Sequence, residues 1–167
     1  GKPDEDLYGV RFVGNRAYLV TFERTDPLYT IDLSDPTDPY IVAELEVTGF
    51  SNFLHPVSDD LLLGLGQSAD NRVKLELFEV SDFAAPVSRG VLTLGADLRW
   101  VYTAAEYDRH AFSYLVGDAT DRLAIPLSGY VSTDANRWAE RLQLIEVREK
   151  AEADEAALMD AGYLSVQ

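Results

Sequence analysis

The chain has 167 residues, 47% of them hydrophobic, and carries 29 acidic against 14 basic side chains for a net charge of −15. That length suits one domain with a sizeable core, and the acidic field repels a phosphate backbone, which argues against a nucleic-acid partner. The absence of cysteine excludes disulfides, thiolate metal sites and a cysteine nucleophile, and no apolar run of about 18 residues offers a membrane span.

The opening stretch "GKPDEDLYG" is polar and acidic, unlike a secretory signal. "VRFVG" and "AYLVTF" follow, two short apolar segments parted by Asn15 and Arg16. Next comes "LYTIDLSDPTDPYIVAELEVTGFS" (28–51), an alternating strand, a turn holding Ser, Asp and Pro, and a second strand. "NFLHPV" and "LLLGLG" form another pair across Ser58, Asp59 and Asp60, and "LELFEVSDFAAPVSRGVLTLGAD" (75–97) then repeats the pattern of 28–51. Asp32-Leu33-Ser34-Asp35 falls on Glu79-Val80-Ser81-Asp82. A third round pairs "HAFSYLV" with "RLAIPLS", and a fainter copy lies in "LQLIEVREKAEADEAALMDAGYLS" (142–165).

Segments of this length, rich in Val, Leu, Ile, Phe and Tyr and bounded by Gly, Asn, Asp or Pro, predict strands and hairpins. Four strands per unit at a period in the forties predicts propeller blades. The expected fold is therefore all-β: about three four-stranded antiparallel blades of a partial β-propeller, at about 8–47, 50–94 and 100–165 within one domain spanning 1–167. An open sandwich is the rival, but it gives no reason for the repeated Ser-Asp-Pro turn. Residues 137–159 are full of helix formers and also read as a long helix. The repeat favours a strand over 141–148, with "REKAEADE" as its turn or a short helical excursion.

The run "VRFVGNRAYLVTFERTDPLYTIDLSDPTDPYIVAELEVTGFSNFLHPV" resembles the secreted β-propeller domain of bacterial and archaeal surface proteins, and "YDRHAFSYL" and "RLAIPLS" resemble later segments of that family. The "IDLSDPTDP" turn is similar to the LVIVD-type repeat of other propellers. The resemblance spans most of residues 7–148. It implies a secreted or cell-surface location and a fragment of a longer protein, and it brings no catalytic or ligand residues with it.

Candidate chemistry is sparse. The acids of "DLSDPTDP" lack the D-x-D-x-D-G spacing and Gly-permitted bend of a Ca²⁺ loop, so they read as turn formers. His55 and His110 are the only histidines; His55 reads as a hydrogen-bonded core residue and His110 as an exposed turn residue. No G-x-S-x-G elbow is present, and no catalytic residue, metal or cofactor is expected. The face gathering the loops 23–27, 48–52, 67–72, 94–102 and 129–138 carries Arg24, Asn52, Arg72, Arg99, Trp100 and Arg137. Arg and Trp are favoured at recognition sites, so these six residues are the expected binding set. The competing reading packs Trp100 between blades and pairs the arginines with nearby acids. The first functional reading is a non-enzymatic scaffold or binding module for an extracellular protein or ligand. The alternative is a hydrolase or lyase centred on the propeller axis and completed by blades outside this chain. Exposed end-blade faces further suggest a homodimer closing one pseudo-ring.

Overall fold

The computed structural model describes residues 6–22 and 26–166. Strands β1 (Asp6–Val13), β2 (Arg16–Phe22), β3 (Asp26–Asp32) and β4 (Tyr40–Val47) form a first antiparallel sheet in chain order. Strands β5 (Phe50–Pro56), β6 (Leu61–Gln67), β7 (Val73–Glu79) and β8 (Val87–Thr93) form a second with the same order. The third contains β9 (Leu98–Tyr102), β10 (Ser113–Leu115), β11 (Asp121–Val131), β12 (Asp134–Arg148) and β13 (Ala157–Val166). Strands β10 to β13 again run in order, and β9 joins the edge of β11 that also receives β10. Three such meanders packed face to face are consecutive blades of a partial β-propeller.

Packing follows the strand period. The sheet's pleat sends alternate side chains to opposite faces, so a sheet flanked on both sides must be apolar on both. The middle sheet meets that demand with Leu61, Leu62, Leu63 and Leu65 on β6 and Leu75, Leu77 and Phe78 on β7, all buried. Leu62 and Phe78 pack with Tyr18, Val20 and Leu28 of the first sheet. Leu63, Leu65, Leu75 and Leu77 pack with Leu123, Ile125, Leu127, Ile145 and Val147 of the third. Each fully buried Leu contributes roughly 1.5–3 kcal/mol. Close approach also demands glycine here: a Cβ on Gly66 would fall 1.9 Å from the Phe50 carbonyl oxygen on the neighbouring strand.

The repeated turns close by the same chemistry. Asp35 Oδ1 accepts the Thr37 N–H at 2.9 Å and Asp82 Oδ1 accepts the Ala84 N–H at 3.0 Å. The backbone bonds Asp38 N to Asp35 O and Ala85 N to Asp82 O complete the pair. Asp32 likewise accepts from the Ser34 N–H at 2.6 Å. Hydrogen bonds from Ser34 and Thr37 hold the Asp32 and Asp35 carboxyls below the usual range. These acids cap their own turn.

The strand expected over 141–148 is present, and two of the expected loops change. Residues 137–159 do not form a helix: β12 runs through Arg148 and residues 149–156 turn the chain into β13. The helix formers lose because alternate β12 residues, Gln143, Ile145 and Val147, are buried, the last two in the core shared with the second sheet. The segment 129–138 is not a loop, because β11 and β12 continue into one long hairpin with only a short turn between Val131 and Asp134. The segment 94–102 is only partly a connection, since Leu98–Tyr102 is strand β9.

Candidate functional site

The β4–β5, β6–β7, β8–β9 and β11–β12 connections gather at one end of the sheets. Arg24 lies outside the described residues. The other five expected binding residues are found here, in three kinds of surroundings. Arg72 is half-buried and structural: its Nη2 donates to the Gly95 carbonyl at 2.5 Å and lies 3.5 Å from the Leu98 carbonyl, pinning the β8–β9 connection. Arg99 donates from Nη2 to the Ser132 carbonyl at 2.8 Å and braces the tip of the long hairpin. Both arginines therefore satisfy backbone oxygens rather than acids. Arg137 is exposed where the β11–β12 register shifts.

Trp100 is 85% exposed, so none of the three described sheets covers it. Its φ of 53° puts it in the left-handed region that a bulky residue rarely adopts. The cause is visible in the register: Ser128 pairs with Tyr102 and Tyr130 with Arg99, so β9 carries one residue more than β11 over this interval. A bulge of this kind re-aims a side chain, and here it presents the indole to solvent.

Tyr102 and Tyr130 fall on the same face of the third sheet, because their cross-strand partners are Ser128 and Arg99 and strand residues two apart share a face. Tyr130 pairs directly with Trp138, ring centroids 4.9 Å apart and nearly perpendicular. Tyr102 stacks with Tyr107 at 6.4 Å. All four rings are exposed, so together with Trp100 they make an aromatic surface at this end of the sheet. Sequence reading found Trp100 alone; Tyr102, Tyr130 and Trp138 were masked by strand-like spacing, which looks the same for core and for surface, and Tyr107 lies in the aperiodic excursion after β9.

Asn52 leads elsewhere. Its Nδ2 lies 3.4 Å from Glu106 Oε2, and Gln67 Nε2 donates to the same oxygen at 2.9 Å. Glu106 sits in the first of two single-turn 3₁₀ helices, Ala104–Glu106 and Arg109–Ala111, within the excursion between β9 and β10. Thr103 Oγ1 caps the first turn through the Ala105 N–H, and the buried Ala105 anchors it in the core. Glu106 is only 8% exposed. Burial pushes its carboxyl above the usual range, and hydrogen bonds to Gln67 and Tyr107 offset that only in part.

Near the innermost strands, His55 packs in an aromatic cluster. Its ring centroid is 4.2 Å from Tyr114 and 5.3 Å from Phe112, with Phe53 alongside at 6.2 Å. Burial and the nearby Arg11 charge lower its pKa, against a smaller opposite pull from Asp121. Nearby, Asp121 accepts from Lys150 Nζ at 2.5 Å, Tyr114 Oη at 2.6 Å and the Gly117 N–H at 2.8 Å. His110 is fully solvated beside Asp108. Among the described residues, no helix is long and apolar enough to cross a membrane.

Relatives share this sequence over part of their length. An uncharacterized protein of Methanocaldococcus jannaschii is 40% identical over 108 residues, covering 65% of this chain and 17% of the relative. An uncharacterized protein of Archaeoglobus fulgidus is 47% identical over 83 residues, covering 50% of this chain and 13% of the relative. The aligned stretches thus span less than a fifth of either archaeal protein. A family model described as the Beta propeller domain matches residues 1–162, and the chain belongs to that family.

Proposed function

We propose that this chain is a non-enzymatic binding module of a secreted or cell-surface β-propeller protein. The aromatic surface of the third sheet would meet the partner. The observation that carries the reading is the exposure of Trp100, Tyr102, Tyr107, Tyr130 and Trp138 at one end of one sheet. Aromatic side chains bring large contact area at small entropic cost and are enriched where proteins meet ligands. Arg99, held by the Ser132 carbonyl, supplies a cation beside them. The test is a screen of glycan and peptide arrays with the wild-type chain, a Trp100→Ala/Tyr107→Ala double variant, and Val91→Ala on an exposed strand of the second sheet. A ligand lost by the double variant and kept by Val91→Ala supports the reading. Ligands bound equally by all three, or none at all, count against it.

The same reading treats the outward faces of the end sheets as packing surfaces. The third sheet's outward face carries Tyr102, Tyr130 and Trp138 at one end. Six residues along β11, at the other end, lies an apolar groove of about 470 Å³ lined by Leu115, Ala124, Leu144 and Ala161, so a sheet seated on the groove leaves the rings to the partner. The first sheet exposes Phe12 and Ile41. The second sheet's two faces are covered by its neighbours through the same strand positions, so another sheet of this kind is the natural occupant. A second copy supplies it when the chain is alone. Sedimentation equilibrium would then show a dimer that Leu115→Glu dissociates, and a monomer throughout would refute the pairing.

A further inference from the structure

Two buried oxygens beside the aromatic surface have no partner: Glu106 Oε1 and Asn52 Oδ1. The amide donors that reach the Glu106 carboxyl, Asn52 Nδ2 and Gln67 Nε2, both go to Oε2, and the Tyr107 hydrogen bond leaves Oε1 unpartnered. A carboxylate oxygen and an amide oxygen are both acceptors, so neither can satisfy the other as they stand. Leaving either one buried and unpaired is costly. With Asn52 Nδ2 already 3.4 Å from Oε2, a single proton on Oε1 would supply the donor that both oxygens lack and close the ring of an acid–amide dimer.

We propose that Glu106 is a protonated carboxylic acid in the folded chain, and that its pairing with Asn52 is a proton-operated clasp fastening the 103–112 excursion to the second sheet. The groups facing it are Asn52 from β5 and Gln67 from β6, with Tyr107 on its own segment. Among the described residues, no Lys or Arg is placed to compensate an ionised Glu106, in contrast with Asp121, which meets Lys150. The excursion is also held by the Thr103 cap, by Ala105 in the core, and at its far end by Ala111 and by Phe112, whose ring centre lies 5.1 Å from that of Phe53, so the clasp governs its first turn. Removing the proton strands a charge at the seam between the second and third sheets, and that turn opens.

The direction of the pH effect follows from linkage. A carboxyl whose folded pKa lies above its unfolded value contributes fully below the unfolded pKa, and that contribution is lost as pH rises through the folded pKa. The test is amide hydrogen exchange across residues 103–112, corrected for intrinsic rates, at about pH 5 and about pH 8 in the intact chain and in Glu106→Gln. Protection in the wild type should fall roughly tenfold or more between the two, while Glu106→Gln, whose amide needs no proton, should hold constant. Equal pH dependence in both, or none in the wild type, would overturn the proposal. A carboxyl ¹³C titration of wild-type Glu106 decides the matter even where the variant folds poorly. A midpoint raised above the ordinary Glu value of about 4.3 supports the clasp, and a midpoint at or below it refutes it.

Discussion

Arg141 grips Asp97 with both arms of its guanidinium, Nη1 to Oδ1 at 3.1 Å and Nη2 to Oδ2 at 2.8 Å. Its Cζ lies 4.0 Å from the centre of the Tyr163 ring. The pair ties the β8–β9 connection to β12 and so fixes where β9 begins. The two partners are unequally buried, with the Arg141 side chain 5% exposed and Asp97 58%. Losing the acid therefore leaves a buried cation with only a ring beside it, whereas losing the cation leaves an acid that water can reach.

Asp97→Ala should destabilise the chain by about 1–2 kcal/mol in urea unfolding, between the values for exposed and buried pairs. The Arg141 hydrogen bonds hold the Asp97 carboxyl below the usual range. The contribution is thus present above the unfolded pKa and is lost as pH falls through the folded one. The gap between wild type and Asp97→Ala should be full at neutral pH and close below about pH 4. A gap that persists in acid would assign the effect to packing instead.

Lys74 and Glu76 form a buried pair on β7 at 2.8 Å, with side chains 1% and 4% exposed. Lys74 also reaches the Thr48 carbonyl, and Ser88 donates to Glu76 at 2.7 Å. Lys74→Met strands a buried carboxylate and should cost about 3–5 kcal/mol. The Lys74→Met/Glu76→Leu double variant removes both charges and should recover much of that loss. Chemical denaturation of the single and double variants gives the comparison, and additive losses would contradict the pairing.

Gly66 and Gly90 both sit within strands, yet their surroundings differ sharply. A Cβ at Gly66 meets the Phe50 backbone at 1.9 Å, while one at Gly90 meets nothing within 4 Å. Gly66→Ala should cost at least about 1–3 kcal/mol, because backbone rather than a pliable side chain must move. Gly90→Ala should fall within about 0.5 kcal/mol of wild type. Thermal unfolding of the two variants checks the contrast, and similar melting temperatures would refute the close approach of β5 and β6.

Much of the architecture was legible in the sequence, because short apolar segments are parted by turn residues and the turn after β3 recurs after β7 with its capping acid, Asp35 then Asp82. The same repeat favoured a strand over 141–148 against its helix formers. Strand β9 and the long β11–β12 hairpin were not legible. They depend on a bulge at Trp100 and on the approach of Gly129, where a Cβ would lie 2.8 Å from the Arg99 carbonyl oxygen. Those are contacts between distant segments. Among the site residues, Trp100 stood out by type and Asn52 by position. Glu106 did not, since "TAAEYDRHAF" has no periodicity and only burial distinguishes its one glutamate from the chain's other acids. Arg72 and Arg99 read either as binding cations or as partners of nearby acids, and their carbonyl partners were missed because backbone carbonyls leave no trace in a sequence.

The central claim is that the aromatic surface of the third sheet is where a partner binds. The most direct measurement places a photo-activatable cross-linking residue at Trp100, and separately at Val91 on the second sheet, in cells that make the protein. A discrete partner captured at position 100 and absent at position 91 is the predicted result. The same adducts at both positions, or none at position 100, would contradict it.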